Sequence, residues 1–178
     1  MTEQSHTRHN TASLSWIEKE AKKDRMRLSE RGGEIIAMMI IGLIALFFYT
    51  HQTQATGFFT SSFGLAEASL FYGSLLAGIV GPLVRLTTGR RNTARPSEML
   101  ASLFWIASSV WLLTVFPFNF AHFGDVLPSM LKFLVNWITN DIGRLVLVLG
   151  VIGGLVSVAL NAVLYGSVRS LLRTEQLR

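Results

Sequence analysis

Three sets of residues in this chain could do chemistry, and each is incomplete. His122 and Asp125 stand three apart, and His51 falls on the same side of the apolar pattern. Imidazole and carboxylate are metal donors, but a zinc site takes at least three protein ligands in a fixed geometry. One histidine and one aspartate are too few without help from elsewhere, so no metal is expected. The second set is ionisable: Glu34, Glu67, Glu98, Arg85 and Arg144 lie closest to the apolar runs. All five fall near the ends of those runs, where a long side chain can snorkel to the headgroups. Proton relays and ion paths are marked by ionisable groups deep in the bilayer, and none is placed there.

The third set is hydroxyl and amide. Serines are common, but no G-x-S-x-G turn and no buried serine–histidine or aspartate pair accompanies them. There is no cysteine, which removes thiolate nucleophiles, disulfides and cysteine-ligated metal centres. Neither enzyme activity nor a cofactor is expected. Asn161 is the one strongly polar side chain well inside an apolar run, with Ser157 one turn before it. The amide can bond a neighbouring helix, worth on the order of 1 kcal/mol. Alternatively, Ser157 and Asn161, or Ser102, Ser108 and Ser109, can line a water-filled path.

The elements that carry these residues follow from hydropathy and charge. Half the residues are apolar and 15% are charged, against about a quarter in soluble domains. Four apolar runs stand out, at about 34–50, 65–84, 98–118 and 144–166. A bilayer core of about 30 Å takes about 20 helical residues, so each run fits one span. The segments before the first run, between the second and third, and after the fourth hold fourteen of the sixteen Lys and Arg. Basic residues stay in the cytoplasm. The expected fold is therefore an all-α integral membrane protein with four transmembrane helices and both ends cytoplasmic. Its place would be a bacterial or archaeal plasma membrane. Nucleic acid is not expected as a partner despite the net charge of +5, because the bases flank spans.

Three regions make up the expected organisation: a polar N-terminal segment 1–33, a transmembrane domain 34–168 and a basic tail 169–178. Residues 1–12 are polar and suit a disordered start. Ser15 and Glu18 are spaced as a capping box for a charged amphipathic helix reaching about Glu30. That helix suits the anionic surface of the cytoplasmic leaflet, or a soluble partner. Gly32 and Gly33 are expected to break it. Pro82 is expected to end or kink the second span. Four phenylalanines between Phe116 and Phe123 suit an aromatic belt at the outer interface. Residues 125–141 place Leu127, Met130, Leu131, Leu134 and Ile138 on one face, the spacing of an interfacial helix.

Small residues supply the packing pattern. Ser69, Gly73, Ala77 and Gly81 recur at every fourth position of the second span; Gly150, Gly153 and Gly154 mark the fourth. Lipid gives helices no hydrophobic drive to associate, so close backbone approach has to supply dispersion contacts. These faces suit a helix of the same chain or a homo-oligomer. Arg85, Arg90, Arg91 and Arg95 lie in a stretch, 85–97, with no acid. They suit anionic lipid headgroups or an acidic protein partner. The sequence thus leads to a non-catalytic membrane subunit with a basic cytoplasmic surface, with a homo-oligomeric channel as the alternative.

Overall fold

The computed structural model describes residues 16–176, which are helical apart from their turns. A short helix, α1, covers 16–22. Four long helices follow: α2 (Leu28–Thr53), α3 (Leu65–Thr88), α4 (Arg91–Val115) and α5 (Asn140–Gln176). Two 3₁₀ turns, Phe120–His122 and Ser129–Leu134, lie between α4 and α5. All four long helices are long and apolar enough to cross a membrane. The polar N-terminal residues and Ser15, with the expected capping box, lie outside the described residues.

The chain runs up and down. Glu34 of α2 meets Arg85 of α3, and Ile41 comes 3.7 Å from a Cβ placed on Gly78. Gly73 lies under Phe104 of α4 and Gly81 under Glu98. Gly150 and Gly154 of α5 lie under Trp105 and Ile106. Each long helix therefore packs on its neighbours in sequence, forming the row α2–α3–α4–α5. Neither α4 nor α5 packs against α2, so the row does not close into a ring. Apolar side chains along the middle of α2 and α5 face outward, including Ile36, Met39, Leu43, Leu149 and Ile152. Burial is concentrated at the two ends.

One end is aromatic. Phe58 is 1% exposed and touches Phe48, Phe59, Phe118, Phe120 and Phe123. The Asn119 amide donates to the Phe58 carbonyl at 2.7 Å, and the Thr60 amide to Pro117 at 3.0 Å. These bonds tie the α2–α3 loop to the chain leaving α4. Phe118 and Phe58 pack inward together, with Phe116, Phe120 and Phe123 partly buried against them. Edge-to-face rings gain about 0.5–1.5 kcal/mol per pair beyond the burial of their area. α4 stops because Pro117 disfavours helix at the residue before it. Phe116 takes a φ of 40°, and the Arg144 guanidinium lies 4.4 Å from its ring centre.

The other end is rich in arginine, and the chain there departs from expectation. The break after α1 falls at 23–27, and α2 runs straight through Gly32 and Gly33. Its cause is docking: Asp24 and Met26 pair with the turn between α3 and α4. The Arg91 amide donates to the Asp24 carbonyl at 2.9 Å, and the Asn92 amide to its carboxylate at 2.8 Å. The Met26 amide donates to the Gly89 carbonyl at 2.9 Å. Asp24 thus caps α4 from another segment, and its charge suits the positive end of the helix dipole. The stretch 85–97 is no loop. Helix occupies it except at Gly89 and Arg90, where Gly89 has a φ of 64° beneath the Arg31 guanidinium.

Three further boundaries shift. α3 continues past Pro82 to Thr88, and α4 begins at Arg91, ahead of the expected start near 98, with Pro96 inside it. Of residues 125–141, 125–139 form turns and the 3₁₀ segment Ser129–Leu134 in place of the expected helix, and Asn140 and Asp141 begin α5. Pro128 precedes the segment at φ −54°, the Leu131 amide donates back to its carbonyl at 2.8 Å, and Lys132 is held by Asp125 at 3.3 Å. α5 absorbs the expected tail: at 1.5 Å per residue, its 37 residues span about 55 Å, well beyond a bilayer core.

The Asp24 cap has a measurable consequence. Asp24→Ala is expected to cost about 1 kcal/mol, the usual worth of a helix cap. Amide exchange at Arg91 and Asn92 should accelerate while the α4–α5 interface stays protected. Unchanged exchange at those two amides would show that the cap does not hold the turn.

Candidate functional site

The arginine-rich end gathers charge from every long helix. Arg85 stands at its centre. Its Nε and Nη2 donate to the two carboxylate oxygens of Glu34, both at 2.8 Å, and its Nη1 pairs with Glu98. One guanidinium therefore joins α2, α3 and α4. Arg91 reaches Glu30 of α2 at 3.6 Å. Arg95 reaches Glu20 of α1 at 3.7 Å and donates to the Asn161 side-chain oxygen of α5 at 3.3 Å. These groups enclose a cavity of about 350 Å³, lined by Glu20, Glu30, Glu34, Glu98, Arg85, Arg91, Arg95 and Met26. Four carboxylates face three guanidiniums, so the cluster is close to neutral.

From Arg95 a polar thread enters the α4–α5 contact. The Asn161 amide donates to Ser157 at 3.4 Å, and Ser157 and Ser102 share a hydrogen bond of 2.9 Å. Further along α4, Ser108 and Ser109 are buried, at 1% and 2% exposure. Toward the aromatic end the Trp111 indole donates to Glu67 at 3.0 Å, and the other Glu67 oxygen accepts the Gly64 amide at 3.0 Å. The thread makes α4 the polar spine of the row.

The residues singled out from the sequence part company here. Gly73, Gly81, Gly150 and Gly154 each lie where a Cβ would collide with or crowd a side chain of α4. Gly153 meets open space, Ser69 is exposed and Ala77 is half-buried. Arg85, Arg91 and Arg95 are engaged with carboxylates of the same chain, whereas Arg90 is exposed. Ser157 and Asn161 point toward α4. Of the acids that answer the arginines, Glu34 and Glu98 stand out in the sequence as ionisable groups at the ends of apolar runs, but their pairing with the arginines does not. Glu30 and Glu34 are four apart on α2, and Arg91 and Arg95 are four apart on α4. That matched spacing becomes telling only once the two helices are known to share an end.

The aromatic end carries a smaller polar group. His122 Nδ1 lies 2.9 Å from Asp125, whose other oxygen accepts from Lys132 at 3.3 Å. Hydrogen bonding from His122, then from Lys132, holds the Asp125 carboxyl below its ordinary value. His51 is buried, bonding Thr56 at 2.6 Å and the Phe123 carbonyl at 3.2 Å. Among the described residues no three histidine, aspartate or glutamate side chains come together as a metal site.

Two tests follow from these pairs. Arg85→Gln leaves Glu34 and Glu98 facing each other without a counterion, and should cost about 3 kcal/mol of stability in detergent unfolding. The triple replacement Glu34→Gln, Arg85→Gln, Glu98→Gln should cost less than the single one; a larger loss would show the pairs themselves to be strongly stabilising. Asp125 has a lowered pKa in the folded state, so its contribution is present above the unfolded value and lost as pH falls through the folded one. Melting curves below about pH 4 should show an acid-side slope that Asp125→Asn reduces, and equal slopes would exclude this carboxylate as the cause.

The chain matches no known protein family, no curated protein and no solved structure, so its function has to be read from these residues.

Proposed function

We propose that the protein is a non-catalytic integral membrane subunit whose arginine-rich end lies in the cytoplasm and meets an anionic partner surface. The observation that carries this reading is the division among the basic residues. Arg85, Arg91 and Arg95 are paired inside the chain. Arg25, Arg27, Arg90, Arg169 and Arg173 are exposed at the same end, and none lies within ion-pair distance of an acid among the described residues. A surplus of unpaired cations at one end is the footprint of a protein that meets negative charge there. The same asymmetry orients the spans.

The homo-oligomeric channel has less in its favour. A pore lining needs polar groups directed at water. Ser102 and Ser157 bond each other, and Asn161 bonds Arg95. The glycines of α3 and α5 that contact α4 are occupied within one chain, which leaves Gly153 and Ser69 as open small positions among the expected interface residues.

Mass measurement of the complex released from native lipids tests the reading. A heteromeric mass that dissociates as salt is raised is expected, because contacts between exposed charges are screened within about 10 Å at 0.1 M. A closed homo-oligomer that conducts ions in liposomes, and loses conductance on Asn161→Leu, would overturn it.

A further inference from the structure

A second cavity lies beside the charged cluster but does not share its balance. It holds about 330 Å³ and sits between the α1–α2 linker, the start of α4 and the last turns of α5. Among the described side chains Arg90, Arg169 and Arg173 line it, with Asp24 as the one acid. That carboxylate is 5% exposed and accepts the Asn92 amide, and against three guanidiniums it leaves the recess with a positive surplus. Tyr165 braces one of them: Arg169 Nη1 donates to its hydroxyl at 2.5 Å, and the guanidinium carbon lies 5.5 Å from the ring centre. Asn92 also lines the recess, is 8% exposed, and keeps its side-chain oxygen buried without a partner. Turned by 180°, that amide places N–H donors where the unpaired oxygen stands. The surplus of positive charge, the planar donors and the positive end of the α4 dipole all ask for the same ligand.

We infer that this recess binds a phosphomonoester dianion. Its depth makes a lipid headgroup one source: Tyr165 is 25 residues from the start of α5 at Asn140, about 37 Å along the axis, just past a hydrocarbon core of about 30 Å. A soluble phosphate is the other source. The inference rests on the basic end being available to an anion, as in the proposed function, and names the chemistry it accepts. Three guanidiniums can offer paired donors to a doubly charged terminal phosphate. A diester headgroup has a single charge and fewer free oxygens, so phosphatidic acid should outcompete phosphatidylglycerol.

The test uses the full chain in nanodiscs containing phosphatidic acid, phosphatidylglycerol or phosphatidylcholine, with retained lipid read by native mass spectrometry. Wild type should retain one phosphatidic acid. Arg169→Gln with Arg173→Gln should weaken retention about tenfold or more, while Lys19→Gln with Lys22→Gln, the same charge loss outside the recess, should not. Inorganic phosphate added to lipid-free detergent samples separates the sources. A rise in melting temperature abolished by the arginine pair, with no preference among lipids, would support a soluble phosphomonoester. Equal binding by wild type and the arginine pair, or equal loss in the lysine pair, overturns the site. Melting temperatures of the variants without ligand show that each folds. Failure here leaves the mass of the native complex untouched, whereas a conducting homo-oligomer would defeat the functional reading and leave this recess, built within one chain, still measurable.

Discussion

Arg85 sets the terms for the rest of the molecule. A guanidinium near the end of a membrane span cannot shed its charge, so it either reaches water or finds carboxylates. Here it finds two, Glu34 from one side and Glu98 from the other, in fixed bidentate and single contacts. That choice fixes the register of α2 against α3 and of α3 against α4. Register then decides which small residues meet which large ones. Gly81 faces Glu98 because Arg85, one turn on, already holds that carboxylate, and Gly73 two turns back accepts Phe104. Such an arrangement adds little net stability over apolar packing, since desolvation offsets much of the attraction. What it supplies is a unique alignment among surfaces that would otherwise slide.

The two ends solve the same problem differently. Lipid cannot distinguish one apolar helix face from another, so specificity has to come from contacts outside the hydrocarbon or from tight steric fit. At one end ion pairs and the Asp24 cap do this. At the other, Phe58 is wedged among phenylalanines from both connecting segments, and the short bonds from Asn119 and Thr60 hold those segments together. Between the ends the helices touch through glycine, serine and single large side chains such as Trp105 and Ile106. The middle is the least distinctive part of the protein, and the ends are the most.

Much of this was legible in the sequence, and what was not has a physical reason. The four helices were visible because a bilayer demands continuous apolar length. The role of Gly73, Gly81, Gly150 and Gly154 in helix contact was visible as small-residue spacing, though not the partner each would meet. The Asn161 hydrogen bond was one of two readings of a lone buried amide. The connecting segments were misjudged because their conformation is set by distant partners. Gly32 and Gly33 look like a break, yet helix is retained there because the chain has already turned at Asp24 to cap α4. Residues 125–141 have helical spacing, but Pro128 and the pull of Asp125 on Lys132 leave them in turns. Arg85, Arg91 and Arg95 look available to lipid or a partner because the acids that pair with them, Glu34 and Glu98, Glu30, and Glu20, each come from another element.

The row of helices has a consequence for how the chain can be made. Because each long helix packs on the one synthesised just before it, every intramembrane interface can form as soon as the next span leaves the ribosome. No span has to wait, unpaired, for a distant complement, and the search at each step is that of a single hairpin. The exception is the α1–α2 linker. Asp24 emerges early, but the amides it caps belong to Arg91 and Asn92. That docking can close only after the third long helix has begun, so it reports completion of the first two spans rather than guiding their insertion.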